Sequence, residues 1–305
     1  MSRYTHRPAT LDDAAAAAEL MNAFDRAHVE EPDTLTAEDL VSWWARLTLE
    51  EDSRFFFDDG GNLVGTSTLA LRDEEQLLDL DAYVHPAHLG RGLGGAMIDW
   101  LEEQSRERGL TRARTSALAV DAAAGRLVAA RGFAPIRHFY RMSIDLDAPP
   151  PGPEWPAGFT VSTLQPEEEP VVYAVINEAF AEHWGQEHRE YDEWRRRNVE
   201  REWWDPTLVY LVREGGEVVA ASTNGFRFGS GWVDTIGTLK PWRGKGLGRA
   251  LLLTAFGEFF ERGERRVALA VDAGNETGAT HLYESVGMRI AWQADIYEKH
   301  LDSRG

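Results

Sequence analysis

The sequence predicts an α+β protein of two tandem domains, each a mixed, mostly antiparallel sheet flanked by helices. Three observations predict it. The segment Ala148–Gly158 packs five prolines and two glycines into 11 residues. Proline fixes φ and lacks an N–H donor, so neither a regular helix nor a central strand runs through such a segment. On either side, strand-like and helix-like segments follow in the same order, an internal repeat at domain scale. Each half also carries a strand, a glycine-rich turn and an amphipathic helix at the same place. A chain of 305 residues suits two domains of roughly 100–200 residues each. The expected boundaries are Met1–Asp147 for the first domain, Ala148–Ala157 for a stiff linker and Gly158–Gly305 for the second.

Each half opens with a short strand and a turn into a helix: Tyr4–Pro8 then Thr10–Asp13, and Phe159–Thr163 then Gln165–Glu169. Acids in a first helical turn complement the helix dipole. Strand pairs follow at Arg54–Phe57 with Leu63–Leu71, and at Leu208–Arg213 with Val218–Thr223. Gly60-Gly61 and Gly215-Gly216 supply their hairpin turns. Next come the strand Leu77–Val84, the turn Gly90–Gly94 and a helix through Arg108. The second copy has Trp232–Leu239, Gly244–Gly248 and a helix through Arg262. Gly109 and Gly263 stop these helices. Strands Arg112–Leu118 and Arg265–Val271, a short helix and a final strand close each half, the tails running Arg131–Leu146 and Val286–Leu301.

Composition narrows the function. Hydrophobic content of 43% with 27% charged residues is that of a globular protein. No apolar run approaches the ~20 residues a bilayer needs, and the N-terminus has no apolar signal core, so a cytoplasmic location is expected. With no cysteine, disulfides, thiolate metal sites and a cysteine nucleophile are excluded. No two histidines have metal-ligand spacing, and no metal is expected. A net charge of −19 disfavours nucleic acid as a partner; it reads first as a device for solubility, and it also suits attraction of a cationic amine.

The turn Arg243-Gly244-Lys245-Gly246-Leu247-Gly248 lies between a strand and a helix. Glycines there let the backbone approach a ligand and turn N–H groups inward, and the helix N-terminus adds positive dipole. Arg243 and Lys245 add charge, so the turn reads as a pyrophosphate cradle. It has neither the spacing of a Walker loop nor, in this copy, that of a dinucleotide fingerprint. The pattern Arg-x-x-Gly-x-Gly resembles the coenzyme A loop of the GCN5-related N-acetyltransferases, the GNAT family. Downstream, Asn275, Ala279, Leu282, Tyr283, Gly287 and Met288 resemble that family's second signature, and the likeness spans nearly the whole second half.

The resemblance implies acetyl-CoA as co-substrate and N-acetyl transfer to a small amine by a direct route. Ile236 and Thr238 would meet the thioester and pantetheine arm through their backbone, and Asn275 would hydrogen-bond the arm. Tyr283 would protonate the departing thiolate, and Asp234 is the candidate general base. Even spacing puts the Asp234 side chain on one strand face with Ile236 and Thr238. Aromatics and acids around Phe180–Trp184 and Trp203–Asp205 border the expected acceptor pocket, with His183 and Trp184 as candidate amine contacts. The arginines Arg195–Arg197 read as a solvated helix face.

The first half keeps the fold pattern and a reduced chemistry. Leu89 stands where the second half has Arg243, and Val128 or Ala129 where it has Tyr283. That copy is expected to be non-catalytic, its Asp79 and Asp81 a solvated pair. A degenerate copy ahead of an active one is similar to the architecture of the mycothiol synthase family. That resemblance implies a cysteinyl amino-sugar acceptor as an alternative to a general small-molecule amine. A non-catalytic acyl-CoA sensor is the reading from another class. Two copies in one chain can pack as a pseudo-dimer, which favours a monomer.

Overall fold

A computed structural model describes residues 4–72, 75–181, 183–184, 190–201, 203–274 and 278–301. The chain forms two compact units, one of Met1–Tyr140 with Ala291–Gly305, the other of Arg141–Ile290.

The first unit begins with β1 (Thr5–Arg7) and a short helical turn at Leu11–Asp13, where Thr10 and Asp13 form a capping box. Helices α1 (Ala14–His28), α2 (Ala37–Trp44) and α3 (Leu49–Asp52) follow. A second capping box, Thr36 with Asp39, starts α2. The loop between α1 and α2 is held by buried Asn22, which donates to the Leu35 carbonyl and accepts from its N–H, both at 2.8 Å. Strands β2 (Phe55–Phe57), β3 (Leu63–Arg72) and β4 (Leu77–Val84) then pair antiparallel in sequence. Helix α4 (Leu93–Glu107) buries Leu93, Met97, Ile98, Trp100, Leu101 and Ser105, the stripe of a helix laid on a sheet. It leads to β5 (Arg112–Leu118), parallel to β4, then to α5 (Ala122–Ala130) and β6 (Ala134–Asp145).

The second unit repeats the plan. Its elements are β7 (Phe159–Thr163), α6 (Glu169–Phe180), α7 (Tyr191–Arg197), β8 (Tyr210–Glu214), β9 (Glu217–Arg227) and β10 (Ser230–Thr238). After them come α8 (Leu247–Glu261), β11 (Arg266–Asp272), α9 (Ala279–Ser285) and β12 (Arg289–His300). Strands β7 to β10 form an antiparallel run, and β10 pairs parallel with β11. Phe256 and Phe259 of α8 are fully buried. Two of the three arginines of α7 are ion-paired, Arg195 to Glu169 and Glu200 and Arg197 to Glu193, and Arg196 is exposed. Among the described residues no helix is long and apolar enough to cross a membrane.

Two features depart from the expected plan. The last strand, β12, read from sequence as the end of the second half, pairs along β5 of the first unit, from Ala294↔Leu118 to His300↔Arg112. Buried Glu298 fixes that register: Arg112 grips it with two bonds of 2.7 and 2.8 Å, and Arg114 adds one of 3.1 Å. In the second unit Arg141–Asp145 of β6 lie beside β11, where Arg266 donates to Asp145 at 3.0 Å. The second feature is the setting of Asp79 and Asp81: Asp81 is exposed and Asp79 half-buried. They line a cavity between the sheet of the first unit and its helices α1 and α2, because the α1–α2 hairpin roofs the face they share.

Candidate active site

Strand β10 begins as an ordinary member of the sheet. It pairs with β11 only at Gly231↔Val267 and Trp232↔Ala268, and beyond them the two strands part. At the same level its register against β9 slips by one residue between Val233 and Thr235, leaving Asp234 as the extra residue of a β-bulge. The bulge flips the side-chain alternation. A Cβ on Gly231 would meet Phe259 of α8, whereas one on Gly237 would meet Ala179 of α6 at 2.9 Å. Asp234 therefore shares the α6 side with Thr235 and Gly237, and not the face of Ile236 and Thr238 that even spacing suggested. Its partners agree: Arg227 donates to it at 2.8 Å and the Thr235 hydroxyl at 3.3 Å.

The turn after β10 runs through two left-handed glycines. Gly244 and Gly246 take φ values of +76° and +86°, conformations that a side chain would strain. Gly246 caps α8, and the first backbone bond of that helix is from Ala250 N–H to Gly246 O at 3.1 Å. The N–H groups of Gly244 to Arg249 thus find no backbone acceptor among the described residues. Arg243 acts largely on the protein: its Nε donates to the Thr238 carbonyl at 3.1 Å and its Nη2 to the Ala179 carbonyl at 2.9 Å. It ties the end of β10 to the end of α6 and keeps its charge beside the turn. Lys245 is exposed, its ammonium 5.6 Å from the centre of the Phe159 ring. Gly248 lies close under α9, since a Cβ there would lie 2.9 Å from the Leu282 side chain.

Helix α9 carries Tyr283, which is 7% exposed. Burial alone pushes its phenol up to about 12, so at neutral pH it holds its proton. Asp234 is pulled both ways. Burial raises its pKa and is the larger effect, while Arg227, Thr235 and Thr223 act to lower it. Asn275 lies outside the described residues.

The expected acceptor side is formed by the end of α6 and the segment before β8. His183 packs on Phe180 with ring centres 4.3 Å apart, and Trp184 is 38% exposed. Trp204 packs against the core that holds Val172, Ile176 and Trp194. Trp203 sits on β9: a Cβ on Gly225 would lie 2.5 Å from its carbonyl oxygen, and the Arg227 guanidinium stacks 4.7 Å from its ring centre. Sequence reasoning missed Arg227 and Gly225, which connect this aromatic segment to Asp234. An arginine and a glycine two residues apart on an antiparallel strand carry no signal of their own.

The first unit has the same turn with a different strand behind it. Gly90 and Gly92 take φ values of +70° and +91°. Strand β4 runs against β3 through eight consecutive pairs without a bulge, and it stays paired to β5 over four residues, Leu77 to Leu80. Leu89 is 44% exposed, and Val128 is buried in the core. Among the described residues no group of three possible metal ligands occurs in either unit.

The acetyltransferase (GNAT) family model matches the chain twice, over residues 17–133 and 171–288. A mycothiol acetyltransferase of Thermobispora bispora is 33% identical over 246 residues, which are 78% of this chain and 80% of that protein. A GCN5-related N-acetyltransferase from Sphaerobacter thermophilus superposes with a TM-score of 0.84 at 31% identity, over 98% of this chain and 96% of that one. A tandem GNAT protein of the clavulanic acid biosynthesis pathway shares the fold, with a TM-score of 0.77 at 20% identity, over 99% of this chain and 100% of that one. Two matched copies, each with its glycine turn between a strand and a helix, make this chain a tandem member of the GNAT family and an N-acetyltransferase.

Proposed function

We propose that the second unit transfers an acetyl group from acetyl-CoA directly to the primary amine of a small molecule. The observation that supports this most strongly is the parting of β10 from β11 at the bulged Asp234, next to a turn of unpaired amides. Acetyl-CoA supplies the acyl group as an activated thioester. The amides of Gly244 to Gly248, with Lys245 beside them, hold its pyrophosphate. The open edge of β10 at Ile236 and Thr238 offers backbone groups to its arm, as to an added strand, and Asn275 is assigned to the same arm. Asp234 accepts one proton of the acceptor's ammonium; as the N–C bond forms and the C–S bond breaks, Tyr283 gives its phenol proton to the leaving sulfur, and the second proton lost by the nitrogen restores the phenol. His183 and Trp184 contact the amine from the α6 side, and the chain works as a monomer.

A second reading narrows the acceptor. Several relatives at about 30% identity are mycothiol acetyltransferases, which supports a cysteinyl amino-sugar as the amine. The test is release of free coenzyme A from acetyl-CoA with a panel of primary amines, the cysteinyl amino-sugar among them, and mass analysis of the products. Turnover with a mass gain on nitrogen is expected. Tight binding of acetyl-CoA with no amine acetylated would favour a sensor instead.

A further inference from the structure

Three departures from ordinary chain geometry meet around Asp234, and a sheet needs none of them. The first is the bulge that turns its side chain to the α6 side. The second is the hairpin that joins β9 to β10 beyond the pair Arg227↔Ser230. Its two residues, Phe228 and Gly229, take φ values of +56° and +78°. Left-handed backbone is ordinary for glycine or asparagine and strained for phenylalanine. The third is Arg227, the last residue of β9, whose Nε is buried and has no hydrogen-bond partner among the described residues. A buried donor left unpaired loses its hydration without return. Strain and unpaired groups collect where a function holds them in place.

Together the three settle the place of one guanidinium. The Arg227 guanidinium lies 4.7 Å from the centre of the Phe228 ring and 4.7 Å from that of Trp203. Trp232 meets Phe228 edge-on at 4.9 Å and backs it. Held against two rings, the planar group keeps one orientation, with Nη1 donating to Asp234 Oδ1 at 2.8 Å. Asp234 Oδ2 takes a longer bond of 3.3 Å from the Thr235 hydroxyl. The Arg227 and Asp234 side chains are only 18% and 19% exposed, so burial works against a charged Asp234, and the charge of Arg227 is the first of the effects that oppose it. Arg141 of β6 also lies on this side, over the Trp232 ring at 4.2 Å, as does His183 on the Phe180 ring.

We propose that Arg227 is a positioning residue for acetyl transfer: it keeps the covered Asp234 a carboxylate and holds its Oδ1, so that Oδ2 is the oxygen presented to the acceptor's ammonium. This rests on the reading of Asp234 as the general base. Once Oδ2 has taken the proton, the charge on Arg227 is left unopposed, which favours release of that proton before the next turnover.

Carbon-13 NMR of the full chain labelled at the aspartate carboxyls tests this, the Asp234 signal being the one lost in Asp234→Asn. Arg227→Met keeps an apolar stem between the rings and removes the charge. It should raise the midpoint of the Asp234 titration by about 1–3 pH units, the effect of losing an adjacent opposite charge. Arg227→Lys, which restores a charge without the planar group, should recover part of that rise. With the primary amine that the intact chain acetylates fastest, the acidic limb of kcat/KM should move up together with the Asp234 midpoint. A midpoint unmoved in Arg227→Met overturns the proposal; where Arg227→Met does not fold, one unmoved in Arg227→Lys does so. The reading of Asp234 as base fails by a different result, turnover retained in Asp234→Asn, whatever the titration shows.

Discussion

Tyr283 and Glu298 show how burial sets chemistry one side chain at a time. A phenol raised to about 12 keeps its proton at neutral pH and is a weaker acid than an exposed tyrosine, so it gives that proton up only as negative charge builds on the leaving sulfur. Tyr283→Phe should lower kcat about 100-fold with little change in KM for acetyl-CoA. An unaltered kcat would remove the donor role. At Glu298, burial opposes ionisation, but bonds from Arg112 and Arg114 prevail and hold the carboxyl below its ordinary value. A group with a depressed folded pKa adds stability that is present above its unfolded pKa and is lost as pH falls through the folded one. Glu298→Gln should therefore cost about 3 kcal/mol near pH 7, and the difference in denaturant midpoint should shrink below a pH of about 4. A difference independent of pH would assign the loss to packing. Neither setting was visible in the sequence. Tyr283 was found through its place in a motif, and Glu298 lacked even that, its two arginines lying more than 180 residues away.

Among the elements, those whose partners are near in sequence were legible. Phe159–Thr163, Leu77–Val84 and Arg112–Leu118 form the strands expected, since alternation and flanking turn residues act locally. The bulge in β10 was not legible, because one extra residue leaves the hydrophobic pattern of a nine-residue strand nearly intact. It moved Asp234 to a different face from the one its spacing implied. The cavity under α2 was also missed, since the pattern of β4 shows that Asp79 and Asp81 share a face but not that a helix hairpin covers it. At the α8–α9 contact, Gly248 gives a direct test of element placement. Gly248→Ala puts a Cβ 2.9 Å from the Cδ2 of half-buried Leu282, so that side chain must turn away and the packing of α9 on α8 be remade. Turnover should fall about tenfold, with a stability loss of about 1–2 kcal/mol. Undiminished turnover in a folded variant would show that α9 need not sit so close.

At the scale of the whole chain, duplication was plain from the repeated order of elements, while the destination of the last strand was not. β12 completes the first unit's sheet, and Arg141–Asp145 sit beside β11 in the second. A repeat seen in sequence assigns each strand to its own half; only long-range pairing reveals the exchange. Within this arrangement the two copies have matching turns, with a left-handed glycine capping the helix in each. They differ in the strand behind the turn, which in the second unit is bulged and pairs with the next strand over two residues, and in the first has no bulge and pairs over four before it parts. The central claim is that this difference decides where acetyl transfer occurs. Gly92→Trp and Gly246→Trp are matched probes, since both glycines have open space around them and similar positive φ values of +91° and +86°. The decisive measurement is acetyl-CoA-dependent turnover of the two variants side by side. Loss of turnover with Gly246→Trp and its retention with Gly92→Trp is the predicted result. Retention with Gly246→Trp and loss with Gly92→Trp would place the chemistry in the first unit and contradict the account.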